Sequence, residues 1–206
     1  MAAAIRRLAI RGAPLIGVAG AYGLALELVG ADAPSAELAR DAAERLKGAR
    51  PTAVNLAWAV DRVLGAALAC DLGELVTASL AEARRIHRGE EAASEAIARL
   101  GAEWLGGSAR RVMTHCNTGS LAAPGEGTAL AVVGELFRRG QLDRVVACEA
   151  RPLLQGARLT AWELAKLGIP FELIVDAAAA GLIAGGGVDA VIVGCDRIAA
   201  NGDVVN

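Results

Sequence analysis

A chain of 206 residues of which 54% are hydrophobic can bury a substantial core. Only 3% of it is aromatic, and alanine supplies much of the rest, so that core must come from small side chains packed closely. The formal charge of -2 offers no global attraction to nucleic acid or an anionic membrane, and neither is expected as a partner.

The four cysteines form no CxxC pair and no zinc-type spacing, so no metal site is expected and a reducing, cytoplasmic setting fits best. Arg6, Arg7 and Arg11 ahead of the apolar run Leu15 to Leu26 imitate the basic and hydrophobic parts of a signal peptide. Pro14, however, stands at a natural helix start, and Glu27 closes the run too soon for a membrane span. A buried domain helix over 14–29 is the expectation. A second helix is expected from Ser35, as cap, to Leu46, with Glu37 complementing the dipole in its first turn. Gly48 to Thr52 breaks the pattern, and a third helix opens at Pro51 or Thr52 and runs through Ala69. Helical periodicity returns from Gly73 to Leu100 with a solvated face of Glu74, Glu82, Arg84, Arg85, Glu90, Glu91 and Glu95.

After Gly106-Gly107 the period changes. Short apolar runs at Val112–His115, Arg144–Cys148, Phe171–Val175 and Ala190–Cys195 alternate with helical stretches at Gly127–Arg139, Gly156–Leu167 and Ala177–Ala184. Such alternation predicts a parallel sheet covered on both faces. The expected fold class is therefore α/β: a helical N-terminal domain over 1–106 and a Rossmann-like α/β domain over 107–206, with a sheet left incomplete at the C-terminus. The last stretch, Asp196 to Asn206, reads as an active-site loop.

Ligands of such sheets bind beyond the carboxyl ends of the strands, which singles out the turn His115-Cys116-Asn117-Thr118-Gly119. Cys116 is either a small buried hydrophobe, as free cysteine often is, or a nucleophile or proton shuttle made reactive by a nearby positive group or helix N-terminus. Asp196 directly follows the last apolar run and could move a proton if burial raises its pKa, or could simply pair with Arg197. Asp176 stands in the same relation to the preceding run, while Cys148 and Cys195 read as core residues. Arg11, Arg50 and Arg151 each lie near glycine or proline; together with helix-start N–H groups they would bind a phosphate, and singly they are surface ion-pair partners. Neither GxxxxGK[ST] nor GxGxxG is present, which disfavours nucleotide binding.

As a set, the blocks IRGAPLIGVAGAYGLAL from Ile10, ARPTAVNLAWAVDRV from Ala49, THCNTGSLAAPGEGTAL from Thr114, EARPLLQGARLTAWELAKLGIP from Glu149 and VDAVIVGCDRIAANGDVVN from Val188 resemble the S-methyl-5-thioribose-1-phosphate isomerases. These are aldose–ketose isomerases of methionine salvage, in a wider family with ribose-1,5-bisphosphate isomerase and the regulatory subunits of the exchange factor for initiation factor 2. The resemblance implies Cys116 as catalytic cysteine and Asp196 as catalytic acid. It implies Arg11, Gly12, Ala13, Arg50, Gln155 and Asn206 as substrate-binding residues, with no metal and no cofactor. The implied partner is a small sugar phosphate, and the implied assembly a homodimer. Because the phosphate locks C1 as an acetal, the ring must open before hydrogen moves from C2 to C1. Asp196 would protonate the ring oxygen, and Cys116 would shuttle a proton through an enediol-like state or support a hydride shift.

Departures from the pattern are Ala150 and Cys195, where threonine and alanine are expected, and Ala177 with Gly181 in place of Ser/Asn and His. By comparison an N-terminal segment and a long C-terminal portion, including a lysine after Asn206, are missing. The alternatives are ribose-1,5-bisphosphate isomerase and a catalytically inactive, regulatory-subunit-like module of the same fold.

Overall fold

The computed structural model describes residues 1–195 and 197–205, Arg197 by its backbone alone. The chain divides into two compact units, Met1–Glu91 and Ala92–Asn206.

In the first unit, α1 (Ala2–Arg6) precedes α2 (Ala13–Val29), α3 (Ala36–Lys47) and α4 (Val54–Leu68), and α5 (Leu75–Leu105) begins. The helix at 14–29 is present, and its burial on nearly every side explains why its sequence has so few charges. Ser35 caps α3 as its position predicts, its hydroxyl accepting the Leu38 N–H at 3.1 Å. Helix α1 is an addition to the expected elements: its basic end disguised it, but Ile5 is fully buried against the cluster of Ile16, Leu24, Leu56, Val60 and Val63. No helix among the described residues is long and apolar enough to cross a membrane.

The second unit holds β1 (Arg111–Thr114), α6 (Ala129–Arg138), β2 (Arg144–Cys148), a π-helical turn at Gly156–Thr160 running into α7 (Ala161–Leu167), β3 (Phe171–Ile174), α8 (Ala179–Ala184) and β4 (Ala190–Val191). The four strands form one sheet in the order β3-β2-β1-β4, every pair parallel. The α/β class and the parallel sheet are thus as the periodicity predicts. The chain steps outward from β1 to β2 to β3, then returns to add β4 on the other side of β1. That reversal makes the β1–β4 boundary a topological switch point, where crevices form at the strand ends.

Three expectations are corrected. Coverage on both faces holds for β1 and β2, whose inner residues are buried, but β3 and β4 are edge strands with Leu173 and Val191 exposed. The fourth strand is two residues long rather than six, because only Val112 and Met113 of β1 pair with it. The stretch read as a loop contains a short antiparallel hairpin, β5 (Arg197–Ile198) with β6 (Val204–Val205).

Candidate active site

Strand β1 ends at Thr114, and two residues later Cys116 adopts φ of 63°. An L-residue pays about 1–2 kcal/mol for that left-handed conformation, so the surroundings must impose it. They do so through a buried polar network. The Thr160 hydroxyl donates to the Cys116 carbonyl at 2.5 Å, and the Asn117 amide donates to Thr160 Oγ1 at 3.3 Å. Glu163, itself buried, accepts the Asn117 amide on Oε1 at 2.7 Å and both the N–H and the hydroxyl of Ser120 on Oε2 at 2.8 Å. Three such bonds offset the desolvation of a buried carboxylate.

Close backbone approach makes this possible. A Cβ on Gly119 would overlap the Glu163 carboxylate, and one on Gly156 would overlap the Cys148 carbonyl. The π-helical turn then brings Thr160 under Cys116, an irregularity that frequently marks functional sites. Gln155 lies half-buried at the start of that turn. Across the switch point, a Cβ on Gly194, just past β4, would lie 3.0 Å from Thr118 Cγ2. The Thr118 hydroxyl is buried without a hydrogen-bond partner among the described residues.

Beside this turn a second cradle is built on Asp176. Its carboxylate accepts the N–H groups of Ala150 at 2.9 Å and Arg151 at 2.8 Å, and lies 3.8 Å from His115 Nδ1. The Arg151 N–H above all holds the Asp176 carboxyl below its usual range. Ala150, like Cys116, has positive φ, at 61°. Cys148 is buried at the end of β2, as expected, and burial followed by the Asp176 charge pushes its thiol up. Cys195, by contrast, is exposed rather than core: the ladder of β4 stops at Val191, and although the Ile192 N–H still donates to the Met113 carbonyl, the Cys195 side chain is left open.

The remaining sequence-implied binding residues belong to the first unit. Arg11, Gly12 and Ala13 form the entry to α2, where Gly12 has φ of 93° and no side chain caps the first amides. Arg50 lies in the turn before α4, which also starts without a side-chain cap, at Ala53. The two helix starts are neighbours: a Cβ on Gly17 of α2 would lie 3.0 Å from the Asn55 carbonyl of α4. Paired helix N-termini with flanking arginines favour an anion. Asp196 and Asn206 fall outside the described residues.

Sequence reading missed Thr160 and Glu163, which act through Cys116 and its turn. The signal was available in the run Gly156 to Leu167, where Thr160 and Glu163 fall on the buried side with Leu164 while the basic Arg158 and Lys166 are exposed.

Comparison with known proteins fits this geometry. The sequence is 51% identical to the methylthioribose-1-phosphate isomerase of Methylococcus capsulatus (strain Bath), over 100% of this chain and 59% of that protein. It is 50% identical to that of Thermus thermophilus, over 100% of this chain and 58% of that one. The solved 5-methylthioribose 1-phosphate isomerase from Pyrococcus horikoshii OT3 superposes with a TM-score of 0.90 at 42% identity, covering 100% of this chain and 59% of that one. Translation initiation factor eIF-2B, subunit delta, from A. fulgidus superposes with a TM-score of 0.83, also at 42% identity, covering 96% and 59%. The chain therefore spans about three-fifths of the length of these relatives. The sequence pattern of the initiation factor 2 subunit family matches residues 9–206, and the chain belongs to that family.

Proposed function

We propose that this chain carries the chemistry of an aldose–ketose isomerase acting in the cytoplasm, as a homodimer, on S-methyl-5-thio-α-D-ribose 1-phosphate to give S-methyl-5-thio-D-ribulose 1-phosphate. The observation that supports it most is Cys116 held at φ of 63° beside the β1–β4 switch point. Strain retained at such a place is a mark of function rather than of packing. Within this reading Asp196 is the acid for ring opening, and Cys116 serves the hydrogen transfer between C2 and C1. Arg11, Gly12, Ala13 and Arg50 bind the phosphate end, and Gln155 and Asn206 contact the sugar. Preorganised N–H donors carry much of the stabilisation of developing charge.

The test is turnover of the aldose phosphate by the purified chain, followed by NMR in D2O. Deuterium at C1 of the product identifies a proton shuttle; retention of the C2 hydrogen identifies a hydride shift. Cys116→Ala should lower turnover by about a thousandfold, within the range that removal of a covalent or acid–base group produces. Turnover unaffected by that substitution would sink the assignment of Cys116. Absence of turnover in the parent chain would favour the second reading, a non-catalytic module, which the superposition on the delta subunit at 42% identity keeps in view. Ribose 1,5-bisphosphate serves as the competing substrate, since it needs a second phosphate site in place of the methylthio pocket.

A further inference from the structure

Three adjacent strands each present one metal-ligating group at or just past their carboxyl ends. In the parallel register Thr114 of β1 pairs with Ala147 of β2, so the next residue, His115, stands level with Cys148. Cys148 in turn pairs with Ile174 of β3, and Asp176 lies two residues further along that chain. Side chains at alternate positions share a face, and the shared face is that of Met113, Val146 and Cys148, against which Ala179, Leu182 and Val188 pack. The outcome is that a His115 ring nitrogen, Cys148 Sγ and an Asp176 carboxylate oxygen all lie within 4.8 Å of one another. Cys116, the residue carrying the proposed chemistry, is not one of the three.

We infer that His115, Cys148 and Asp176 form a binding site for a thiophilic divalent cation of the zinc type. The donor set of one imidazole, one sulfur and one carboxylate is what Zn2+ selects, and three protein ligands leave its fourth tetrahedral position to water. Ligand atoms around tetrahedral zinc are about 3.3–3.8 Å apart given bond lengths near 2.0–2.3 Å. The His115–Asp176 separation of 3.8 Å is already at that limit, and the rest is within reach of side-chain rotation. The orienting bonds exist as well. Asp176 accepts the N–H groups of Ala150 and Arg151, and each carboxylate oxygen keeps a further lone pair for a metal. Cys148 Sγ makes no hydrogen bond among the described residues, so no bond to it must break on binding. The site is invisible in sequence, where its members are separated by whole crossover units. It is also independent of the isomerase reading, and it tethers three strand ends next to the Cys116 turn.

The test is titration of the apo chain with Co2+, followed by displacement with Zn2+. One equivalent of Co2+ should produce the near-ultraviolet sulfur-to-metal charge-transfer band together with the intense visible bands of tetrahedral cobalt, and one equivalent of Zn2+ should abolish both. Cys148→Ser should remove the charge-transfer band, while Cys116→Ser, Cys70→Ser and Cys195→Ser should each leave it. His115→Gln, at an exposed position where folding is not at issue, should weaken Co2+ binding by at least tenfold. Absence of the band in the folded parent chain overturns the proposal. So does a band that survives Cys148→Ser but disappears in Cys116→Ser, or binding indifferent to His115→Gln.

Discussion

The Thr160 hydroxyl donates to the carbonyl of Cys116 at 2.5 Å, so the strained residue at the end of β1 is held from below by the turn that comes after β2. Thr160→Val keeps the shape and deletes the donor. Leaving a buried acceptor unpaired costs about 1–3 kcal/mol, and the denaturation midpoint should fall accordingly. Amide exchange at 115–118 should accelerate, and Thr160→Ser should restore both. Unchanged exchange at 115–118 in the valine variant would show that the bond does not constrain the turn.

Cys116→Gly is expected to stabilise the protein while removing its reactive thiol. The left-handed backbone at φ of 63° costs glycine nothing. The strain relieved outweighs the extra chain entropy of glycine by about 0.5–1 kcal/mol. A higher melting temperature with lost turnover is the expected pair of results; a lower melting temperature would mean that the thiol contributes more by packing than its backbone loses by strain.

Gly156→Ala and Gly119→Ala should both be destabilising, but differently. At Gly156 the added methyl meets the Cys148 carbonyl, which is backbone and cannot rotate away. A loss on the order of 3 kcal/mol, at the upper end for overpacking, is expected in denaturant unfolding. At Gly119 it meets the Glu163 carboxylate. Glu163→Ala, combined with Gly119→Ala, should therefore recover part of the loss, whereas no second-site change should rescue Gly156→Ala so directly.

The second unit should weaken in acid. Asp143 is held below the ordinary carboxylate range by its hydrogen bond from Arg110, Asp189 by that from Arg111, and Glu135 by those from Arg139 and Arg138. A carboxylate whose folded value is depressed contributes stability that is full above its unfolded value and is lost as pH falls through the folded one. The melting temperature should be flat above about pH 5 and fall below about pH 4, less steeply in 1 M salt. Asp189 also accepts the Arg111 backbone N–H at 2.7 Å, tying the approach to β4 onto β1. Asp189→Asn should therefore flatten the acid limb; an acid limb identical in parent and variant would rule out this contribution.

The sheet and the main helices were legible because their signals are local. Alternating apolar runs at Arg144–Cys148 and Phe171–Ile174, and Ser35 ahead of Glu37, report their own conformation. Cys116 was legible as a polar interruption at a strand end. What escaped depends on partners distant in the chain. The extent of β4 depends on its pairing with β1, which reaches only Ala190 and Val191, and the run Ala190–Cys195 does not report that its end is exposed. Thr160 and Glu163 gain their role only when β2 and its ensuing turn are laid beside β1. The cradle around Asp176 needs Ala150 at φ of 61°, a conformation alanine does not advertise.

The π-helical turn at Gly156–Thr160 gives the chain an unequal tolerance of length. Each residue advances an α-helix by about 100°, so deleting one residue here would swing the subsequent side chains a quarter-turn or more away from the strand end. Composition at the exposed Arg158 is free to drift; the residue count between Cys148 and Glu163 is not. Insertions elsewhere, as at the exposed tip from Ala199 to Gly202, would pass without comparable effect. Gaps in alignments of related chains should therefore avoid the former segment and collect at the latter.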